Sequence, residues 1–123
     1  MTDQRAARIL VVDDEAAIRL TMDMLLRRHG YTVWTAANGS EALALMAQQP
    51  FDLLLLDLKM PELSGLEVAH RAHALQPAAA ILILTGSSPI EGALDVPGVG
   101  QFTYMLKTAS PQEVLERVAA ATR

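Results

Sequence analysis

Four short apolar runs recur along the chain, and each is closed by a residue able to do chemistry. Ile9-Leu10-Val11-Val12 ends in Asp13-Asp14, Leu53-Leu54-Leu55-Leu56 in Asp57, Ile81-Leu82-Ile83-Leu84 in Thr85, and Tyr104-Met105-Leu106 in Lys107. Runs of this length, bounded by turn signals, predict strands buried on both faces. An ionised carboxylate is costly to bury unless it is paired or bound to a metal. The acids are therefore expected at strand ends, where the chain leaves the core.

Helical patterns fill the gaps between the runs. After a first strand over Arg8 to Val12, Ile18, Met22, Leu25 and Leu26 share one face at helical spacing, and that helix stops at His29-Gly30. Tyr31 to Ala36 predicts the second strand, and Asn38-Gly-Ser-Glu41 opens a second helix with a capping residue and an acid in the first turn. Asp52 to Leu56 predicts the third strand. Ser64-Gly-Leu-Glu67 opens a third helix that runs to about Gln76, before Pro77. Ile81 to Leu84 is the fourth strand, and Ser110-Pro111-Gln112-Glu113 starts the last helix. Between Ser87 and Phe102, Ser88-Pro89-Ile90-Glu91 could begin a helix, but Gly92, Pro97, Gly98 and Gly100 leave it short. Strand and helix alternating in this way imply a parallel sheet covered on both faces, with right-handed crossovers.

Composition narrows the function classes. The 123 residues are expected to form one domain, 1–123, with no output domain within them, either standing alone or leading a larger protein. A hydrophobic content of 51% suits a well-filled core, and a net charge of −4 offers little attraction to nucleic acid or anionic lipid. There is no cysteine for disulfides, thiol chemistry or zinc, no apolar run of membrane-spanning length, and no signal-like start. A cytoplasmic protein is the expectation.

The acids pose an electrostatic problem. Two carboxylates about 5 Å apart repel by roughly 3 kcal/mol at an effective dielectric near 20. A hard divalent cation answers this, and Mg²⁺ (or Mn²⁺) typically keeps waters while using one or two carboxylates. The chain has eight arginines but only two lysines, and both of these, Lys59 and Lys107, fall beside the acids. A compact ammonium on a flexible stem is the second counter-charge. Thr85 adds a short neutral hydroxyl, uninformative alone and useful in this company.

With these residues in place the chain resembles the receiver domain of two-component response regulators, in particular the chemotaxis type, from Ile9 to Val118. The resemblance rests on Val-Val-Asp13-Asp14-Glu, on Asp57-Leu-Lys-Met60-Pro61 with Gly65, on Leu84-Thr85-Gly86 and on Tyr104-Met-Leu-Lys107. It implies a doubly wound, flavodoxin-like α/β fold with a five-stranded parallel sheet of order 2-1-3-4-5, helices on both faces and a short or degraded fourth helix. Asp57 would be the phosphoacceptor, fed by a histidine kinase or phosphotransfer protein. Asp14, Asp57 and the Lys59 backbone carbonyl would ligate Mg²⁺, with Asp13 acting through water. Lys107 would pair with the phosphoryl group, Thr85 would swing to it, and Tyr104 would turn inward. The surface of the fourth helix, fifth strand and fifth helix would then change for an output domain or effector, a homodimer staying open. Such a domain is a phosphoacceptor that promotes its own phosphorylation and dephosphorylation, not an enzyme. Thr108 stands where the family usually has a proline, often after a cis bond, so the Lys107-Thr108 bond is expected to be trans. Lys59 and Ser87 fall at positions that tune phosphoryl lifetime in the family.

Other readings have less behind them. A haloacid-dehalogenase-type phosphatase wants an aspartate two residues beyond the first, where Lys59 stands. A flavodoxin would present Asp13-Asp14-Glu15 to its flavin phosphate and repel it. A degenerate receiver, acting only as a phosphorylation-independent interaction module, is the main alternative. His70 and His73 read as a solvated face, Trp34 as packing under a helix, and Arg27-Arg28 as the end of the first helix. Met22, Met24, Met46, Met60 and Met105 read as core or shoulder filler.

Overall fold

The structure, a computed structural model, describes residues 6–58, 60, 63–85, 95–96, 100–101, 103–106 and 109–122, with the backbone alone at 85, 95–96, 100–101 and 103–104. In chain order these form β1 (Arg8–Val12), α1 (Ala16–Arg28), β2 (Thr32–Ala36), α2 (Gly39–Gln48), β3 (Leu53–Asp57), α3 (Gly65–Leu75), β4 (Ala80–Thr85), β5 (Asp95–Val96), β6 (Gly100–Gln101), β7 (Thr103–Leu106) and α4 (Pro111–Ala121). The main sheet is parallel throughout, in the order β2-β1-β3-β4-β7. With β7 as its fifth strand, this is the expected 2-1-3-4-5 arrangement.

Successive side chains leave a strand on opposite faces, and here both faces are apolar. Leu10, Val12, Leu54, Leu56, Ile81 and Ile83 pack with Ala42 and Met46 of α2 and with Val68, Ala69 and Ala72 of α3. The alternate residues Ile9, Val11, Leu53, Leu55, Leu82, Leu84 and Met105 pack with Met22 and Leu26 of α1 and with Val114 and Val118 of α4. Burial on two sides is why the strands read as unbroken apolar runs. Leu53 to Leu56 are wholly inaccessible, each worth about 2 kcal/mol on burial.

The helix ends follow from the capping residues. Asn38 Oδ1 accepts from the Glu41 N–H at 2.9 Å while Glu41 Oε1 reaches back to accept from the N–H of Ala37, the residue before the cap, at 2.8 Å. Ser64 and Ser110 accept from the N–H groups of Glu67 and Glu113, and Pro111 takes the first helical position of α4. α1 ends where Gly30 turns at φ 92°, a conformation glycine adopts without cost.

Two expectations change. Met24 is 54% exposed on α1 and fills no core, because Met22 and Leu26 take the inward positions. The third strand also reaches one residue further, so that Asp57 is itself a strand residue, paired with Leu84. Within the span expected for a short fourth helix, the described residues form an antiparallel pairing of β5 with β6. The remainder of that span lies outside the described residues, as does the Lys107-Thr108 bond. Trp34 packs on the α2–α3 side, edge-on to Phe51 at 5.5 Å and with the Arg8 guanidinium 4.4 Å from its ring centre.

Two contacts hold the layers in place. Gln76, just past α3, donates from Nε2 to the carbonyls of Met46 and Gln49 and accepts at Oε1 from the Phe51 N–H, each at 2.8 Å. It ties the end of α3 to the end of α2 and to the approach to β3. Gly65 starts α3 directly against the chain that leaves β3, and its N–H donates to the Leu58 carbonyl at 3.0 Å. A Cβ there would press on the Asp57 carbonyl oxygen and stand 2.7 Å from Leu58 Cα.

Gln76→Ala is expected to cost about 1–3 kcal/mol in urea denaturation, since it strands part-buried backbone groups. A change within about 0.5 kcal/mol, as for an ordinary surface substitution, would contradict the clasp. Gly65→Ala is expected to lower stability by roughly 1–3 kcal/mol through overpacking against backbone that cannot move aside. Thermal melting checks this, and an unchanged midpoint would show that α3 can shift.

Candidate functional site

β1 and β3 pair in parallel with Val12 opposite Leu56. The next residues, Asp13 just past β1 and Asp57 as the last of β3, therefore stand side by side. By strand parity both continue the series Ile9–Val11 and Leu53–Leu55, which faces α1 and α4. One carboxylate oxygen from each of Asp13, Asp14 and Asp57 lies within 4.8 Å of the others. Asp13 is wholly buried, Asp57 is 2% exposed, and Asp14 opens to solvent. The chain reverses its winding direction between β2-β1 and β1-β3, the point at which open α/β sheets bind ligands beyond the carboxyl ends of their strands.

Asp13 is held from three directions. Its N–H donates to the Ala36 carbonyl at the end of β2 (3.1 Å), and its Oδ1 accepts from the Glu15 N–H (2.9 Å). Its carbonyl accepts from Arg19 Nη1 at 2.7 Å. Glu15 is the N-cap of α1 and makes no side-chain cap of its own. The Asp13 carboxylate thus bonds the chain at the helix entrance and benefits from the positive end of the helix dipole.

Three carboxylates this close are not self-sufficient. At separations up to 4.8 Å, each ionised pair repels by about 3 kcal/mol or more at an effective dielectric near 20. The donor set is all oxygen, with two buried carboxylates and one facing water. Such a set suits a hard divalent cation that retains water ligands, as Mg²⁺ does. Among the described residues no second cluster of this kind is present.

The remaining expected site residues are placed in part. Thr85 closes β4, opposite Leu106, so its backbone ends one residue beyond the partner of Asp57. Tyr104 lies on β7 opposite Ile83. Lys59, Lys107, Ser87 and Thr108 lie outside the described residues. His70 is exposed on α3 and His73 half-buried. Arg19 escaped the sequence reading, because a contact across a strand–helix corner has no periodicity, and nothing sets this arginine apart from the other seven.

Among the described residues no helix is long and apolar enough to cross a membrane. The chain matches the response regulator receiver domain family over residues 9–119. It is 38% identical over 120 residues to the alginate biosynthesis transcriptional regulatory protein AlgB of Pseudomonas aeruginosa, covering 98% of this chain and 26% of AlgB. It spans about a quarter to a half of the length of the curated relatives it matches. Among solved structures it is similar to the response regulator TrrA of Thermotoga maritima in complex with Mg²⁺-BeF, with a TM-score of 0.82 and 37% identity, covering 94% of this chain and 98% of that one. TrrA has also been solved in complex with the histidine kinase ThkA, again at a TM-score of 0.82. A response regulator from Burkholderia pseudomallei, solved with a phosphorylated aspartic acid, calcium ion and citrate, aligns with a TM-score of 0.81 and 34% identity, covering 95% of this chain and 66% of that one. The fold, the strand order and the match along nearly the whole chain agree: this chain belongs to the response regulator receiver domain family of two-component signalling.

Proposed function

We propose that the chain works as a phosphorylation-driven switch in which Asp57 is the phosphoacceptor. The observation that carries this reading is the buried Asp57 carboxylate held within 4.8 Å of Asp13 and Asp14. An Asp57 oxygen attacks the phosphorus of a phosphohistidine on a histidine kinase or phosphotransfer protein. The oxygen–phosphorus bond forms as the nitrogen–phosphorus bond breaks, and the released imidazole takes a proton from solvent. Asp57 becomes an acyl phosphate.

Asp14, Asp57 and the Lys59 carbonyl would hold Mg²⁺ (or Mn²⁺), with Asp13 acting through water. When bound, the ion supplies neutralising charge to the phosphoryl oxygens. Lys107 and Thr85 would meet those oxygens with an ammonium and a hydroxyl, and Tyr104 would follow Thr85. The new charge of about −2 and its acceptor oxygens would draw the ends of β4 and β7 together and alter the surface of residues 87–102, β7 and α4. The phosphorylated aspartate of the Burkholderia regulator and the Mg²⁺-BeF and kinase complexes of TrrA support this.

On this reading residues 1–123 are one cytoplasmic receiver unit that acts on no separate substrate. Its output is a linked domain or an effector protein. A phosphorylation-independent module is not favoured, because it has no use for two buried carboxylates with a third, solvent-facing one beside them.

Intact mass after incubation with Mg²⁺ and acetyl phosphate tests the assignment. Wild type is expected to gain one phosphoryl group, and Asp57→Asn none. An adduct on both would move the acceptor elsewhere, and an adduct on neither would end the switch reading.

A further inference from the structure

Arg19 lies one turn into α1, its N–H bonded to the carbonyl of the N-cap Glu15 at 3.1 Å. Helical side chains lean toward the N-terminus, and Arg19 follows that direction past the cap to the Asp13 carbonyl at 2.7 Å. A cation near this end of a helix is disfavoured by the dipole, and α1 has no acidic residue in its first turn to offset it. Asp23, one turn further on, pairs instead with Arg27 at 2.6 Å. Arg8 and Arg71 are engaged with Gln49 and Glu67, away from the acids. Arg19 instead directs its guanidinium to the backbone between two of the three acids.

We propose that Arg19 is a positioning residue for the divalent-cation site, an inference that rests on the reading of Asp13, Asp14 and Asp57 as that site. The carbonyl it holds belongs to the peptide that joins Asp13 to Asp14. Asp13 is already fixed at its N–H by Ala36 and at its carboxylate by the Glu15 N–H. Asp14 is exposed, so no core packing orients it, and the angle of that peptide decides where its carboxylate points. Arg19 holds the peptide at that angle before the cation arrives. Without it the peptide can rotate, and binding must order Asp14 as well as the ion. Partners one step removed from a metal ligand commonly change affinity by about 10–100-fold.

Calorimetric titration of the full chain with MgCl₂ tests this on wild type, Arg19→Met and Arg19→Lys. Wild type is expected to bind one ion. Arg19→Met, of similar length but without donor or charge, should bind about tenfold more weakly. Arg19→Lys, which keeps the charge and one donor, should fall between. In parallel, the initial rate of phosphorylation by acetyl phosphate should be low in Arg19→Met at limiting Mg²⁺ and recover at saturation. Circular dichroism and urea denaturation without Mg²⁺ separate this from a folding defect, which saturating Mg²⁺ would also relieve by stabilising the native state. Arg19→Met affinity equal to wild type, or tighter through loss of a repelling cation, would overturn the proposal while leaving the site reading intact. No Mg²⁺ binding by wild type would remove both. Should Arg19→Met fail to fold, Arg19→Lys decides: weaker binding supports the role, and wild-type affinity overturns it.

Discussion

The parallel register of β1 against β3 is the constraint on which everything else depends. With Val12 opposite Leu56, the acids that follow emerge at the same height and on the same side of the sheet. A slip of one residue would turn Asp57 to the other face and put leucines where carboxylates are required. The register is secured by wholly buried apolar side chains along both strands, so core energetics and site geometry are one arrangement. The strands end where burial can no longer be apolar, and that boundary is the site.

Backbone contacts fix most of that boundary. Asp13 is held through Ala36, Glu15 and Arg19, and the backbone beyond Asp57 is pinned by Gly65. Asp14 alone of the trio faces water, on the side from which a cation or phosphodonor would enter. Groups fixed in advance lower the ordering cost of any binding event at such a cluster.

Most of the architecture was legible because its signals are local. The apolar runs announced strands buried on both sides, and Asn38, Ser64 and Ser110 marked helix starts that the structure keeps. The gathering of Asp13, Asp14 and Asp57 was legible too, since acids that close neighbouring parallel strands must emerge together. What escaped was mostly tertiary. Gln76 looked like a helix end and is a three-way clasp. Met24 looked like filler and faces solvent; it stands two residues, about 200° round the helix, from both Met22 and Leu26, so the helical spacing itself points it outward. Arg19 carried no pattern at all. The pairing of β5 with β6 falls within the span where glycine and proline were expected to keep a fourth helix short, and local propensity gave no sign of that pairing.

On this account the three strand-end acids act together as one divalent-cation site. Anomalous scattering from a crystal of the wild-type chain grown with Mn²⁺ tests it most directly. A single peak is expected between Asp13, Asp14 and Asp57, within coordinating distance of Asp14 and Asp57. A peak elsewhere on the surface, or an acidic cluster without one in a Mn²⁺-containing crystal, would contradict the account.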